Sequence, residues 1–150
     1  MKISIFAGVL LISAAVLSMD RGEKVKHDVA WFTNQHIAEK MNEDDCTNVI
    51  KGRGIMKDDG SCKWSNTFII ASLEAVAAVC KTPALKRNSN LHQSTTTFDL
   101  IDCAQTMDSA KDKDKPPNCV YKKGELKEQK RIKIGCDKKG NPIHYEGLVK

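Results

Sequence analysis

The 150-residue sequence is poor in aromatic residues, which make up 5% of it, and it contains no Cys-x-x-Cys pair. The missing pair argues against a zinc site or a thioredoxin-like redox motif. No cluster of carboxylates of the kind that holds Mg²⁺ is evident, and there is no internal repeat. Only one long apolar run is present, at the start of the chain. These absences argue against a zinc protein, a thioredoxin-like oxidoreductase, a Mg²⁺-dependent enzyme and a repeat protein. The chain is small and has a limited supply of apolar side chains for its core.

The apolar run has the pattern of a secretory signal. Lys2 gives it a short positive start, residues 3–17 are apolar except for two serines and a glycine, and Val16 and Ser18 suit a cleavage site. The run falls short of the roughly 20 residues of a membrane span, so an uncleaved signal anchor is the weaker alternative. We predict that residues 1–18 are removed and that residues 19–150 form a single secreted, extracellular domain.

Six cysteines are spread rather evenly along the predicted mature chain. An even number of cysteines in a small exported protein indicates a disulfide framework, which supplements a small hydrophobic core. Spacing alone leaves fifteen connectivities open for six cysteines. The residues are Cys46, Cys62, Cys80, Cys103, Cys119 and Cys136.

Hydrophobic periodicity divides the chain into a helical part and a strand-rich part. Apolar residues at helical spacing predict helices at 27–40 and 43–50 and a third that starts near Ser72. Threonine-rich or alternating segments after Cys80 predict strands at 95–103, 119–123, 131–136, 143–145 and 148–149. Helices followed by strands indicate the α+β class with an antiparallel sheet.

Three separated segments carry the residues of a candidate site. Two imidazoles and an ammonium group could move protons around a phosphodiester and stabilise its developing charge. Taken singly, each residue has an ordinary explanation, since a histidine on an apolar helix face is usually a core residue. The segments are Gln35-His36-Ile37, Cys62-Lys63-x-x-Asn66-Thr67-Phe68 and Pro142-Ile143-His144-Tyr145-Glu146.

Together with the cysteine spacing, these segments resemble the pancreatic-type ribonuclease superfamily, in particular its angiogenin-like and non-mammalian branches with six cysteines. The resemblance extends from about Val29 to Gly147. It implies three helices packed on a strongly bent antiparallel β-sheet, with the active site in the cleft of the sheet. Matching the cysteines in order implies three disulfides: Cys46–Cys103, Cys62–Cys119 and Cys80–Cys136.

The resemblance implies a metal-free endoribonuclease that needs no cofactor and cleaves RNA 3′ of pyrimidines through a 2′,3′-cyclic phosphate. His36 would be the general base, His144 the general acid and Lys63 the charge that stabilises the transition state. Histidine suits both proton transfers because its ordinary pKa of about 6.5 lies near working pH. A hydroxyl both donates and accepts, so Thr67 would read either pyrimidine base, with Asp102 as its support. The expected substrate-binding residues are Gln35, Asn66, Thr67, Phe68, Asp102 and Tyr145.

Several positions depart from the superfamily pattern. The short disulfide loop that supports the downstream-base pocket of pancreatic enzymes is absent. Trp31 and Asn34 occupy helix positions that often carry phosphate-binding basic residues. Glu146 replaces the aspartate that orients the acid, and Tyr145 replaces a phenylalanine. We therefore expect low ribonuclease activity.

The remaining basic residues are grouped along the chain. Such groups favour polyanions, including RNA, heparan sulfate and bacterial envelopes, although an ordinary solvated strand face is the alternative. Two other functions follow: a cationic antibacterial host-defence protein, or an angiogenin-like extracellular factor, active in angiogenesis, that binds a cell-surface receptor. Whichever function applies, we expect the protein to be a monomer. The residues concerned are Lys51, Arg53, Lys122, Lys123, Lys130 and Arg131.

Overall fold

The structure, a computed structural model, describes residues 25–150, so the predicted signal segment lies outside the described residues. None of the helices in this part of the chain is long and apolar enough to cross a membrane. The α-helices are α1 (Val29–His36), α2 (Cys46–Gly52), α3 (Leu73–Ala77) and α4 (Met107–Lys111). The strands are β1 (Ser65–Ile69), β2 (Leu91–Gln93), β3 (Phe98–Ala104), β4 (Glu125–Lys130), β5 (Ile132–Cys136) and β6 (Pro142–Leu148).

The strands form two antiparallel three-stranded sheets, with the orders β1-β3-β4 and β2-β5-β6. The predicted α+β class is confirmed. Residues 25–150 contain four α-helices rather than three, because the Thr106 side chain accepts a hydrogen bond from the Ser109 N–H and caps α4. The predicted antiparallel sheet is present as two sheets.

The bounds of the first helix differ from the prediction at both ends. Asp28 caps α1 by accepting a hydrogen bond from the Trp31 N–H, so His27 precedes the helix. The helix stops at His36 because Ile37 is extended and bridges to Ile69 of β1. His36, the last residue of α1, therefore lies beside β1.

The predicted strand at 119–123 is wrong. In that segment only Tyr121 makes a β-bridge, to Gln105, and the ladder with β3 begins at Glu125. Gly124 explains the interruption, since a Cβ atom there would lie 2.5 Å from the Ile101 side chain and 2.9 Å from the Cys46 sulfur. The backbone passes too close to the core for a continuous strand with ordinary side chains.

The hydrophobic core consists of two clusters, and β1 contributes to both. Ile69 packs in the cluster with Phe32 of α1, whereas its neighbour Phe68 packs in the cluster with Ile101 of β3. Successive side chains of a strand point to opposite faces, so this division follows from the strand pleat. The strand that carries the Cys-Lys-x-x-Asn-Thr-Phe signature is thereby fixed from both sides.

All six cysteines are paired, and the three implied disulfides are confirmed. The bonds are Cys46–Cys103, Cys62–Cys119 and Cys80–Cys136. Their sequence separations are 57, 57 and 56 residues, and each bond joins one of the first three cysteines to one of the last three.

Candidate active site

The C-terminal end of α1 is held by a cation. The Arg53 guanidinium Nη1 donates to the carbonyl of Asn34 at 3.1 Å and to that of Ile37 at 2.6 Å. These carbonyls would otherwise lack intrahelical donors, and positive charge is favourable at a helix C-terminus. Arg53 therefore fixes the turn of helix that carries His36, and its guanidinium is engaged in that contact.

His36 is buried and its tautomer follows from its partner. Its Nδ1 lies 2.7 Å from the Thr67 carbonyl oxygen, and 6% of the residue is exposed. A carbonyl can only accept, so Nδ1 carries the proton and Nε2 has a lone pair. The arrangement leaves Nε2 as the atom that can take a proton from a substrate hydroxyl.

Burial lowers the pKa of His36 to about 4, with smaller lowering contributions from the nearby Lys63 and His144 charges. The hydrogen bond to Thr67 opposes the shift. An imidazole with this pKa is neutral throughout the neutral and mildly acidic range, which is the form a general base needs.

We predict that the acidic limb of the pH profile of kcat/KM falls near pH 4 rather than near pH 6.5, because kcat/KM reports groups of the unliganded enzyme. The same shift affects stability. In the unfolded chain His36 has a pKa near 6.5, so the unfolded state binds a proton before the folded state does as the pH falls. The free energy of unfolding therefore decreases between about pH 6.5 and pH 4. Initial rates on a dinucleotide from pH 3.5 to 8 give the limb. A limb at pH 6.5 would contradict the assignment.

Lys63 is held beside His36 by two side-chain oxygens. Its Nζ donates to Gln35 Oε1 at 3.1 Å and to Asn66 Oδ1 at 2.8 Å. Asn66 is in turn fixed by donating from Nδ2 to the Gln35 carbonyl at 2.7 Å. Burial lowers the pKa of the Lys63 ammonium, and the charge of Asp58 opposes this effect. The network places a positive charge on the segment next to the helix end.

The third segment brings His144 to the same cleft on β6. Its Nε2 lies 2.9 Å from Glu146 Oε2, and the two side chains share a face of the strand because they are two residues apart. Gly135 of β5 lies opposite, where a Cβ would be 3.1 Å from the His144 Cβ. Glu146 can thus orient the ring through Nε2, which leaves Nδ1 as the atom that can give a proton to a leaving group.

These segments converge on one open cleft of about 570 Å³. The ring of Tyr145 packs 5.5 Å from that of His36, measured between centroids. Burial raises the pKa of Tyr145 to about 12, and the charge of Asp102 adds to the shift, so its phenol keeps its proton. The lining residues include the three predicted catalytic residues, His36, Lys63 and His144.

A second cavity of about 380 Å³ contains the predicted base-reading residues. Thr67 and Asp102 are directly opposed in the β1–β3 ladder, and the Thr67 hydroxyl donates to Asp102 Oδ1 at 2.6 Å. Lys127 of β4 forms an ion pair with Asp102 Oδ2, also at 2.6 Å. Lys122 and Lys123 line this cavity as well, so two of the grouped lysines lie beside the base-reading pair.

Two expected contacts need correction. Phe68 is fully buried in the second core cluster, so it supports β1 from behind and cannot touch a substrate. Asn66 is 4% exposed and is committed to Lys63 and Gln35, which makes it a positioning residue. The structure therefore brings His36, Lys63, His144 and Tyr145 together in one cleft and places the Thr67–Asp102 pair in the second cavity. Gln35, also 4% exposed, contacts Lys63 and does not line the cleft.

Sequence reasoning missed four residues around the site: His27, Trp31, Asp58 and Lys127. His27 lies flat on the Trp31 ring and pairs with Asp58, and all three line the catalytic cleft. His27 and Trp31 are four residues apart, but His27 precedes the helix, so helical spacing does not predict their contact. Asp58 and Lys127 had no local signal, because their partners lie 31 and 25 residues away in sequence.

No group of three or more His, Cys, Asp or Glu side chains within residues 25–150 is arranged to hold a metal ion. The side chains that line the cleft are imidazoles, amines, carboxylates, aromatic rings and the thioether of Met56.

Comparisons with known proteins all point to one family. The sequence matches the family model of pancreatic ribonuclease over residues 27–146. It is 38% identical over 128 residues to pancreatic ribonuclease of Camelus bactrianus, covering 79% of this chain and 94% of the relative. Brain ribonuclease of Bos taurus is 34% identical over 130 residues, with 80% of this chain and 71% of the relative covered.

Solved structures agree with the sequence comparison. The zebrafish RNase5 structure superposes with a TM-score of 0.66 at 30% identity, covering 79% of this chain and 91% of that chain. Green turtle egg white ribonuclease gives a TM-score of 0.62 at 28% identity, covering 79% and 95%. On the matched residues, the disulfides and the geometry of the cleft, this chain belongs to the pancreatic ribonuclease family.

Proposed function

We propose that this chain is a secreted, metal-free endoribonuclease that cleaves RNA on the 3′ side of pyrimidines. The observation that carries the proposal is the single cleft in which a buried histidine, a lysine and a partly exposed histidine face one another. A neutral base, a fixed cation and an acid are the three groups that transesterification of an RNA phosphodiester requires.

In the proposed reaction, His36 Nε2 removes the proton of the ribose 2′-hydroxyl, which attacks the adjacent phosphorus. The bond to the 5′-oxygen breaks, and His144 Nδ1 gives this oxygen a proton. Lys63 stabilises the additional negative charge on the phosphorane-like transition state. The Gln35 amide binds a phosphate oxygen. The 2′,3′-cyclic phosphate is then hydrolysed, with the two histidines exchanging their roles.

Pyrimidine selection is assigned to Thr67. Its hydroxyl can accept from the N3–H of uracil or donate to the N3 of cytosine, and its backbone N–H can donate to the neighbouring carbonyl oxygen. The adjoining cavity, at about 380 Å³, is small and bounded by β1 and β3. Both pyrimidines are therefore substrates in this proposal.

The proposed activity is low compared with a digestive ribonuclease. Basic residues that bind further phosphates strengthen RNA binding through counterion release. This chain has Trp31 and Asn34 at two such helix positions, and Asn34 donates to the Arg53 carbonyl at 3.1 Å instead. Asp58 and Asp59 add negative charge to the cleft.

The test is cleavage of the dinucleotides UpA, CpA and ApA by the purified protein, with and without EDTA. We expect slow cleavage of UpA and CpA to a 2′,3′-cyclic phosphate, no cleavage of ApA, no effect of EDTA, and a fall in kcat/KM as the salt concentration rises. Equal cleavage of ApA would contradict the pyrimidine preference, and inhibition by EDTA would contradict the metal-free reaction.

Replacing Asp102 by alanine should lower kcat/KM for UpA about 2- to 10-fold relative to CpA. The Thr67 hydroxyl donates to Asp102, which turns its lone pairs toward a donor such as uracil N3–H. Each neutral hydrogen bond is worth about 0.5–1.5 kcal/mol, which sets the size of the effect. Asp99→Ala in the same strand is the control, and an unchanged UpA to CpA ratio in Asp102→Ala would refute the role of Asp102.

A cationic host-defence role is a second candidate, favoured by the exposed lysines and arginine near β4. Lys122, Lys123, Lys130 and Arg131 are exposed, whereas Arg53 is engaged by helix carbonyls, which leaves Lys51 alone in the predicted receptor-binding segment. Bacterial killing that persists in His36→Ala would support binding to a bacterial envelope by charge, and killing lost with catalysis would assign it to RNA cleavage.

A further inference from the structure

Two aromatic rings are stacked at the edge of the catalytic cleft. The His27 and Trp31 rings have centroids 3.8 Å apart and an interplanar angle of 9°. His27 Nε2 is held by both Asp58 oxygens, at 3.1 and 3.0 Å. The contact with Asp58 fixes the imidazole over the indole, while 41% of the His27 side chain stays exposed.

The stacked pair lines the catalytic cleft and not the base-reading cavity. The Trp31 ring is 5.8 Å from the His36 ring and 5.9 Å from Lys63 Nζ, and both His27 and Trp31 line the cleft together with His144. The base-reading cavity of Thr67 and Asp102 shares no lining residue with this cleft. A nucleotide on the far side of the scissile phosphate from that cavity would meet the stacked rings.

The stacked rings suit a base better than a phosphate. Asp58 and Asp59 line the cleft beside the rings and offset the charges of Lys57 and Lys63, which line it as well. Carboxylates repel phosphate oxygens, whereas aromatic faces stack on any nucleobase because every base has a π-face. Packing against the core accounts for one side of Trp31 but not for an exposed histidine stacked on it.

We propose that His27 and Trp31 form a stacking platform for the nucleobase that follows the scissile phosphate. The proposal deepens the ribonuclease function and rests on it for the identity of the ligand. Purines stack over a larger area than pyrimidines, so UpA is preferred to UpU.

The kinetic test compares a substrate that has a downstream base with one that has none. Trp31→Leu removes the aromatic face, and Trp31→Phe keeps one. We expect Trp31→Leu to raise KM for UpA about tenfold more than it raises KM for uridine 2′,3′-cyclic phosphate, and Trp31→Phe to stay within about threefold of wild type on both substrates. Equal loss on both substrates would show damage to His36 packing and overturn the platform.

A binding test is independent of catalysis. The chain has two tryptophans, and Trp64 is 52% exposed, so Trp64→Phe leaves Trp31 as the only indole. We expect the uncleavable 2′-deoxy dinucleotide d(UpA) to quench Trp31 fluorescence, and an analogue with an abasic downstream sugar to quench it much less. His27→Ala in the same background should weaken the quenching by d(UpA). Equal quenching by the two ligands would overturn the proposal.

The two tests separate the platform from the enzyme. A wild-type protein that cleaves no dinucleotide would refute the ribonuclease proposal, and the fluorescence titration would still decide whether the rings bind a base. Normal cleavage with unchanged KM in Trp31→Leu would refute the platform and leave the ribonuclease proposal intact.

Discussion

Alanine at His36 should lower kcat/KM for UpA by about 10²–10⁴-fold, the usual contribution of a general base. His36 is the only basic side chain on α1, because the amide of its neighbour Gln35 is not basic. No other residue of this helix can therefore take the 2′-hydroxyl proton. Initial rates at pH 7, measured with protein whose melting temperature has been checked, give the result. His144→Ala should cause a loss of similar size, because the departing 5′-oxygen would then leave without a proton.

His92 provides a matched control. Its Nδ1 lies 2.7 Å from the Thr82 carbonyl, the same local contact that His36 makes with Thr67, but it lies outside the cleft. His92→Ala should cleave UpA at the wild-type rate. If His36→Ala and His144→Ala also cleaved at that rate, the site assignment would be wrong.

The double variant gives a sharper test of the mechanism. A base and an acid that act in one step are not additive, because removing either one disables the same transition state. We expect His36→Ala with His144→Ala to be little slower than the worse single variant. Losses that multiply would show that the two histidines act in separate steps.

Alanine at Lys63 should lower kcat for UpA by about 10²–10³-fold, the range found when one preorganised electrostatic contact to a transition state is removed. KM should change much less, because the charge matters most when the phosphate gains negative charge. Lys63→Arg keeps the charge but cannot keep both hydrogen bonds to Gln35 and Asn66 in the same geometry, so it should recover part of the rate.

Lys57 separates local from general charge effects. It lines the same cleft and is exposed, and no side-chain hydrogen bond joins it to α1, which carries His36. Lys57→Ala should lower kcat/KM only slightly and mainly at low salt. Equal losses in Lys57→Ala and Lys63→Ala would mean that overall charge, rather than a positioned ammonium, drives the reaction.

The sequence predicted which residues would share a cleft more accurately than it predicted the secondary structure around them. The Cys-Lys-x-x-Asn-Thr-Phe run was informative because its residue types serve one strand: Cys62 anchors it, Asn66 positions Lys63, and Phe68 fills the core. The register of the antiparallel β1–β3 ladder then places Thr67 opposite Asp102. The resemblance to a ribonuclease family supplied the expected roles, and the substrate contacts expected of Asn66 and Phe68 were wrong because the local sequence does not show that both side chains are buried.

The element bounds failed where tertiary contacts overrode local preference. β4 has the sequence Glu-Leu-Lys-Glu-Gln-Lys and is almost wholly exposed, so neither β-propensity nor alternation marks it as a strand. Pairing with β3 forms it. Conversely, residues 119–123 have strand-like residues but approach the core too closely at Gly124 to continue as a strand. The local sequence shows neither the partner strand β3 nor the core residues that lie next to Gly124.

The arrangement of the three disulfides has a consequence for proteolysis. Cys46, Cys62 and Cys80 all precede the exposed turn that contains Lys86 and Arg87, and their partners all follow it. A trypsin-like protease that cuts once at this turn would leave two fragments joined by three covalent bonds. The cut protein would migrate as one molecule until it is reduced, and α1, which carries His36, would remain tethered to the β6 strand of His144.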